Sequence, residues 1–230
     1  MLECAHELKQ VMKAIHRSIS LEDVQLPDEF FPAHLSTALI DSIWRSQSQH
    51  DATAGSAAER YCDRFEVPRT RADRWTLPPV EEQEPLADLT RRYDELGVDR
   101  MADEVFRDGT PLTELTVANA ERVVRTARGL RRIGIDVLQD VSARPLDDVE
   151  HELRLATGLC EPAFRMLQMY TGSDDFVRGD GYVRDFVADA LGDRWVSRAR
   201  AEDLVRCSAY ELIVSPRFLD DRIWRSRLMR

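Results

Sequence analysis

Residues 146–170 read LDDVEHELRLATGLCEPAFRMLQMY, and the reading of this stretch decides the fold. Leu146, Val149, Leu153 and Ala156 recur at the spacing of one helical face. Thr157-Gly158-Leu159-Cys160 interrupts that period, and Glu161-Pro162-Ala163-Phe164 restarts it, carrying Leu167 and Tyr170. Glycine closes a helix without a Cβ penalty, and proline in a first turn gives up an amide that had no partner. Two helices joined by a tight corner follow. On capping preferences alone this is an ordinary αα-corner, so any functional meaning has to come from the segments around it.

Outward from that corner the same period persists. Apolar residues recur at three and four, and convincing β alternation is missing, so the expected fold class is all-α. Helices are predicted over about 3–19, 32–47, 52–65, 86–96, 99–107, 113–130, 146–156, 161–171 and 181–191, with two more in 199–230. Ser215-Pro216 supplies an N-cap and first-turn pair for the last of them. Leu35, Leu39, Ile43 and Trp44 are expected to face inward from the second helix. Residues 66–85, EVPRTRADRWTLPPVEEQEP, hold four prolines and no period. They read as a long surface loop or as an insertion joining two lobes.

Composition narrows the class. At 230 residues, with 43% hydrophobic and 32% charged residues, the chain has the make-up of a soluble globular protein. Its apolar runs fall short of the roughly 18–20 residues that a membrane span requires. The start, MLECAHELKQVMKAIHRSI, lacks the layout of a signal peptide. The expectation is a cytoplasmic protein with no membrane partner. Cys4, Cys62, Cys160 and Cys207 stand far apart with no CxxC pair, which fits buried, reduced thiols better than a zinc or disulfide framework. The five histidines show no metal-ligand spacing, and no cofactor is expected. Trp44, Trp195 and Trp224 are read as core residues.

Net charge is −10, which opposes a general, tight hold on duplex DNA, because backbone affinity comes from cations that replace counterions. The charge is uneven. Residues 119–132, NAERVVRTARGLRR, hold five arginines and one glutamate, whereas 79–104 holds nine acids and three arginines. Arg122, Arg125, Arg128 and Arg132 form a helical stripe. Either it is a phosphate track, or it is a solvated face paired with the acidic 79–104 segment.

Taken in order, these segments resemble the core of the helix-hairpin-helix DNA glycosylases, the superfamily of endonuclease III and the adenine glycosylases. Ala156-Thr157-Gly158-Leu159-Cys160 resembles the family's Leu-Pro-Gly-Val-Gly hairpin, keeping the first glycine as Gly158 and replacing the second with Cys160. Upstream, Asn119–Leu130 resembles the family's Lys-Ala-x-x-Ile helix. Downstream, Phe176–Phe186 resembles its Val-Asp-Thr-His-Val-x-Arg-Val segment, with Asp180 on the catalytic aspartate and Gly179, Gly181 and Asp185 departing from the pattern. Trp44–Gln49 resembles the region of the glutamine that fills the gap left by a flipped base. Gln47 aligns best there, with Gln49 as the alternative. Ser215–Asp220 and Ile223-Trp224 resemble a closing helix, and the likeness spans about 28–225.

The resemblance implies a two-lobed helical fold with a central cleft: an arm over 1–27, a core over 28–196 and C-terminal helices over 197–230 packed on it. It implies DNA, or a nucleoside-type small molecule, as substrate. The hairpin around Gly158 and Cys160 would hold a phosphate through backbone amides, although the Cys160 side chain crowds that approach. The lysine that forms a Schiff base in bifunctional members aligns with Pro162, and Lys9 and Lys13 are the only lysines in the chain. Lyase chemistry through lysine is therefore disfavoured. What remains implied is a monofunctional N-glycosidase, with Asp180 stabilising an oxocarbenium-like sugar. Asp180 also stands where an ordinary helix N-cap would stand. Tyr182 is the candidate for stacking on a base, and His50 lies beside Gln49. The alternative expectation is a non-catalytic relative that binds nucleic acid or a protein partner.

Overall fold

The computed structural model describes the backbone of residues 2–22, 25–47, 54–157 and 161–228, and side chains within 5–22, 25–46, 57–156 and 163–227. The secondary structure of the described residues is helical, with a single isolated bridge between Pro32 and Thr70 and no strand. The helices are α1 (Leu2–Ser18), α2 (Leu35–Gln47), α3 (Ala54–Phe65), α4 (Leu86–Leu96), α5 (Val98–Arg100), α6 (Glu114–Arg132), α7 (Leu138–Ala143), α8 (Leu146–Thr157) and α9 (Glu161–Tyr170). They continue with α10 (Gly181–Leu191), α11 (Arg198–Glu211) and α12 (Pro216–Leu228). Among the described residues no helix is long and apolar enough to cross a membrane.

The chain divides into two compact units: Pro27–Gly172, and Met1–Leu26 together with Ser173–Arg230. The sequence places the first boundary within a residue of this division. It puts α10 with the core, whereas in the structure α10 belongs to the terminal unit. The reason is packing: Val183, Phe186 and Val187 of α10 bury against Val11 and Ile15 of α1, Leu204 and Val205 of α11, and Leu219 and Ile223 of α12. Each such side chain contributes about 1.5–3 kcal/mol on leaving water, and α1 packs on both α10 and α11.

The central unit is built around α2. Residues 31–43 are buried without interruption, so this helix is sheathed on all sides, and α3, α4, α6 and α9 pack against it. Full burial means that its polar groups need partners. Ser36 Oγ donates to Glu84 Oε2 at 2.6 Å, Ser42 Oγ returns to the Ala38 carbonyl at 2.7 Å, and Thr37 Oγ1 lies 3.6 Å from Cys62 Sγ. His34 Nδ1 accepts from the Glu84 amide at 2.9 Å. Burial, and then the nearby Arg92, lowers the His34 pKa and keeps the ring a neutral acceptor. Trp44 is half-buried, 4.7 Å from Phe106 between ring centroids.

Residues 66–85 do not join the two units; they lie within the central one. Their chain is pinned by Ala33 N to Arg69 O at 3.1 Å and Arg71 N to Phe31 O at 2.8 Å. Its end dives inward. Gln83 bridges to Pro78, Gln139 and the Leu138 amide, and Glu84 accepts from Ser36, from Tyr61 at 2.9 Å and from Arg92. Two further differences concern helices. The predicted helix over 99–107 becomes α5 followed by a π-helical turn, Met101–Phe106, and α7 has no counterpart in the sequence reading. α8 packs on α6 beside Gly129, where a Cβ would stand 2.7 Å from Glu152 Oε2, the far end of a flexible side chain.

Glu84 thus holds α2, α3 and α4 together from a segment without secondary structure. Replacing it with alanine is expected to cost about 3–5 kcal/mol in urea unfolding, because Arg92 loses its buried counter-charge. A loss under about 1 kcal/mol would contradict this account.

Candidate functional site

Asp180 caps α10. Its backbone is extended, at φ −70° and ψ −175°, and its Oδ1 accepts from the Val183 amide at 3.0 Å. The second oxygen points towards Arg178, with Oδ2 3.9 Å from Nε, and the side chain keeps 25% of its exposure. Capping therefore uses one oxygen and leaves the other near a cation and partly open to solvent.

Arg178 is itself buried and committed. Its amide donates to Asp220 Oδ1 at 3.0 Å, its Nε donates to Asp220 Oδ2, and its Nη2 reaches the Asp220 carbonyl at 3.4 Å. The guanidinium lies over Trp224, 5.2 Å from the ring centroid, and Tyr182 meets that ring edge-on at 6.5 Å. Between Arg178 and Asp180, Gly179 takes φ +59°, and a Cβ there would stand 2.2 Å from Glu202 Oε1 and 2.7 Å from Arg198 Cγ. Arg198 Nε donates to the Gly179 carbonyl at 3.2 Å. The glycine that departs from the family pattern is thus required by the local backbone.

Asp220 is fully buried, and its pKa is raised to about 6. Burial is the main cause. Arg178 opposes it, and the neighbouring Asp180 carboxylate reinforces it. The cluster accordingly holds two acids around one arginine. Arg178 and Asp220 were passed over by sequence reasoning because they lie 42 residues apart. What the sequence offered was Asp220 next to Phe218, Leu219 and Ile223 on α12, all of them buried.

Arg122, Arg125 and Arg128 lie on α6 in the central unit, while Asp180 and Tyr182 lie in the terminal one. Arg122 donates to Asn119 at 2.8 Å, Arg125 sits 3.7 Å from Glu121, Arg128 pairs with Asp94 at 2.6 Å, and Arg132 pairs with Glu152 at 2.9 Å. One of these partners, Asp94, comes from the acidic 79–104 segment. The Gln47 side chain and all of Gln49, His50, Gly158 and Cys160 lie outside the described residues. Trp195 is exposed rather than core, with Arg184 5.9 Å from its ring centroid. Cys62 is buried as expected, but Cys207 is exposed. Among the described residues no group of His, Cys, Asp and Glu has the arrangement to hold a metal. Asp180 does not line the described cavity of about 360 Å³ in the terminal unit.

The family "Domain of unknown function (DUF8548)" matches residues 9–227. The chain belongs to this family. No curated protein and no solved structure matches it. The match takes in both units, so the Arg178–Asp180–Asp220 cluster and the buried α2 lie within the family domain.

Chemically, the cluster presents a half-exposed carboxylate oxygen beside a buried arginine at the positive end of a helix. Two outcomes follow. The folded state favours protonated Asp220, so its contribution is complete below about pH 4 and is lost as pH rises through about 6. The stability difference between wild type and Asp220→Asn should therefore shrink from about pH 4 to 6 and then level, in unfolding curves taken across pH. Gly179→Ala should cost about 1–3 kcal/mol by thermal unfolding, since it adds strain at a left-handed position.

Proposed function

We propose that this chain is a monofunctional N-glycosidase of the DNA glycosylase type, a divergent two-lobed relative of the helix-hairpin-helix superfamily. The observation that carries the reading is the second oxygen of Asp180, left uncapped and partly exposed at the start of α10. Its supports are the order of the sequence segments, the resumption of helix at Glu161 after α8 ends at Thr157, and the lack of any lysine beyond Lys13.

In this reading the bond from the anomeric carbon to the base nitrogen breaks with its electron pair on the base. Asp180 stabilises the oxocarbenium-like sugar, and water adds to the anomeric carbon while the proton it loses passes to the departing base. Arg178, tied to Asp220, fixes the height of Asp180 above the helix. Tyr182 supplies a ring face for the base. No covalent amine step takes part. DNA or a smaller nucleoside-type molecule is the substrate class.

A second reading is favoured by two observations: Asp180 already serves as a cap, and the predicted arginine track is paired with neighbouring groups. It makes the chain a non-catalytic relative that binds nucleic acid or a protein partner. Base release from a panel of damaged oligonucleotides and nucleosides separates the two. The N-glycosidase reading expects release that falls by roughly a hundredfold or more in Asp180→Asn, a loss of about 3 kcal/mol in transition-state stabilisation. Release that is absent in wild type, or undiminished in Asp180→Asn with its fold intact, overturns it.

A further inference from the structure

We propose that the cavity lined by α1, α10 and α12 in the terminal unit is a binding site for a small phosphorylated molecule, a phosphomonoester or diphosphate. This site is separate from Asp180 and does not depend on the N-glycosidase reading. The cavity has a volume of about 360 Å³, within the range of small-ligand pockets. Its walls carry Lys13 and Arg17 from α1 and Arg227 from α12, against one acid, Asp189. The lining is thus a surplus of two positive charges in a chain of net charge −10.

Lys13 and Arg17 stand at i and i+4 on α1; the like-charge pair costs an isolated helix about 0.2–0.5 kcal/mol, and the helix dipole offsets this at Arg17 in the last turn. Neither has an ion-pair partner among the described residues, whereas the arginines of α6 do. Gln10 extends the same polar stripe one turn earlier. Arg227 is held in place: its Nη2 pairs with Asp189 at 2.7 Å and reaches the Asp185 carbonyl at 3.2 Å, and its guanidinium lies 5.5 Å from the Phe186 ring centroid. Its Nε is buried without a hydrogen-bond partner. Because Arg227 Nη2 is taken by Asp189, the exposed Lys13 and Arg17 beside it are the cations open to a phosphate dianion, which accepts several charge-assisted hydrogen bonds at once. The cavity size and this small group of cations suit a small molecule better than a long polyanion, which would require a track of cations.

Titration calorimetry of the full chain with inorganic pyrophosphate at low ionic strength tests this. Wild type is expected to bind saturably. Lys13→Glu/Arg17→Glu is expected to weaken binding by roughly tenfold or more, about 1.4 kcal/mol. Both residues are exposed, so the fold should persist, and Lys13→Ala/Arg17→Ala provides a milder second variant. Arg91→Glu/Arg100→Glu, on exposed positions of the other unit, makes the same change in net charge and should stay within about twofold of wild type. The proposal is overturned by no saturable binding in wild type, by an equal loss in that control, or by duplex DNA binding that depends on Lys13 and Arg17 while pyrophosphate does not bind.

Discussion

The terminal unit depends on one buried charge pair, Arg178 with Asp220. Both side chains are almost wholly withdrawn from water, and three hydrogen bonds tie the loop before α10 to the first turns of α12. Such a pair gains little over two apolar residues, but removing either partner leaves a charge without compensation in a dry site. Its value here is positional. The pair fixes the main chain at residue 178, Gly179 then turns through a left-handed conformation in which a Cβ would also crowd Glu202 and Arg198, and Asp180 arrives as the cap of α10. The carboxylate of interest is placed by its neighbours' burial and not by any preference of its own.

The central unit solves a similar problem in the same way. Helix α2 is surrounded, so its serines, threonine and histidine had to find partners or lose stability. The partner is again a buried acid, Glu84, balanced here by an arginine two helical turns further on, Arg92 of α4. Arg92 also lies over Phe65, 4.1 Å from the ring centroid. Glu84 ends a proline-rich connection, and Asp220 opens a charged triplet, Asp220-Asp221-Arg222, between the buried Leu219 and Ile223. Each unit therefore has an apolar core that many sequences could supply and one polar contact that few could.

This division explains what the sequence revealed. Helical period depends only on neighbours three and four apart, so α4, α8, α9, α10 and the Ser215 cap of α12 were legible, the last with Phe218 N donating to Ser215 Oγ at 3.1 Å. Asp180 as a cap was legible for the same reason. The fate of 66–85 was not, because four prolines forbid a period whether the segment is an insertion or a packed strap. Nor was the π-helical turn at Met101–Phe106, whose widened ladder leaves the apolar spacing nearly unchanged. Trp195 and Cys207 were expected inside because their side chains are apolar, but composition alone cannot tell a core position from an exposed helix end. The Arg178–Asp220 pair is purely tertiary, and no window along the chain contains both residues.

Charge is the remaining constraint, and commitment matters more than count. An arginine contributes to the affinity for a phosphate chain only so far as binding it releases counterions and does not break an existing pair. On α6 the exposed arginines already face Glu121, Asp94 and Glu152, and the half-buried Arg122 is held by Asn119. Each exposed pair is worth no more than about 1 kcal/mol, but a phosphate approaching that face must displace several of them in an acidic field. The stripe that looks most basic in sequence is thereby the least available. Lys13 and Arg17 of α1 have no ion-pair partner among the described residues, and Asp189, the acid of the same lining, is held by Arg227. Where this chain meets an anion is decided by which positive charges its own carboxylates have left unclaimed.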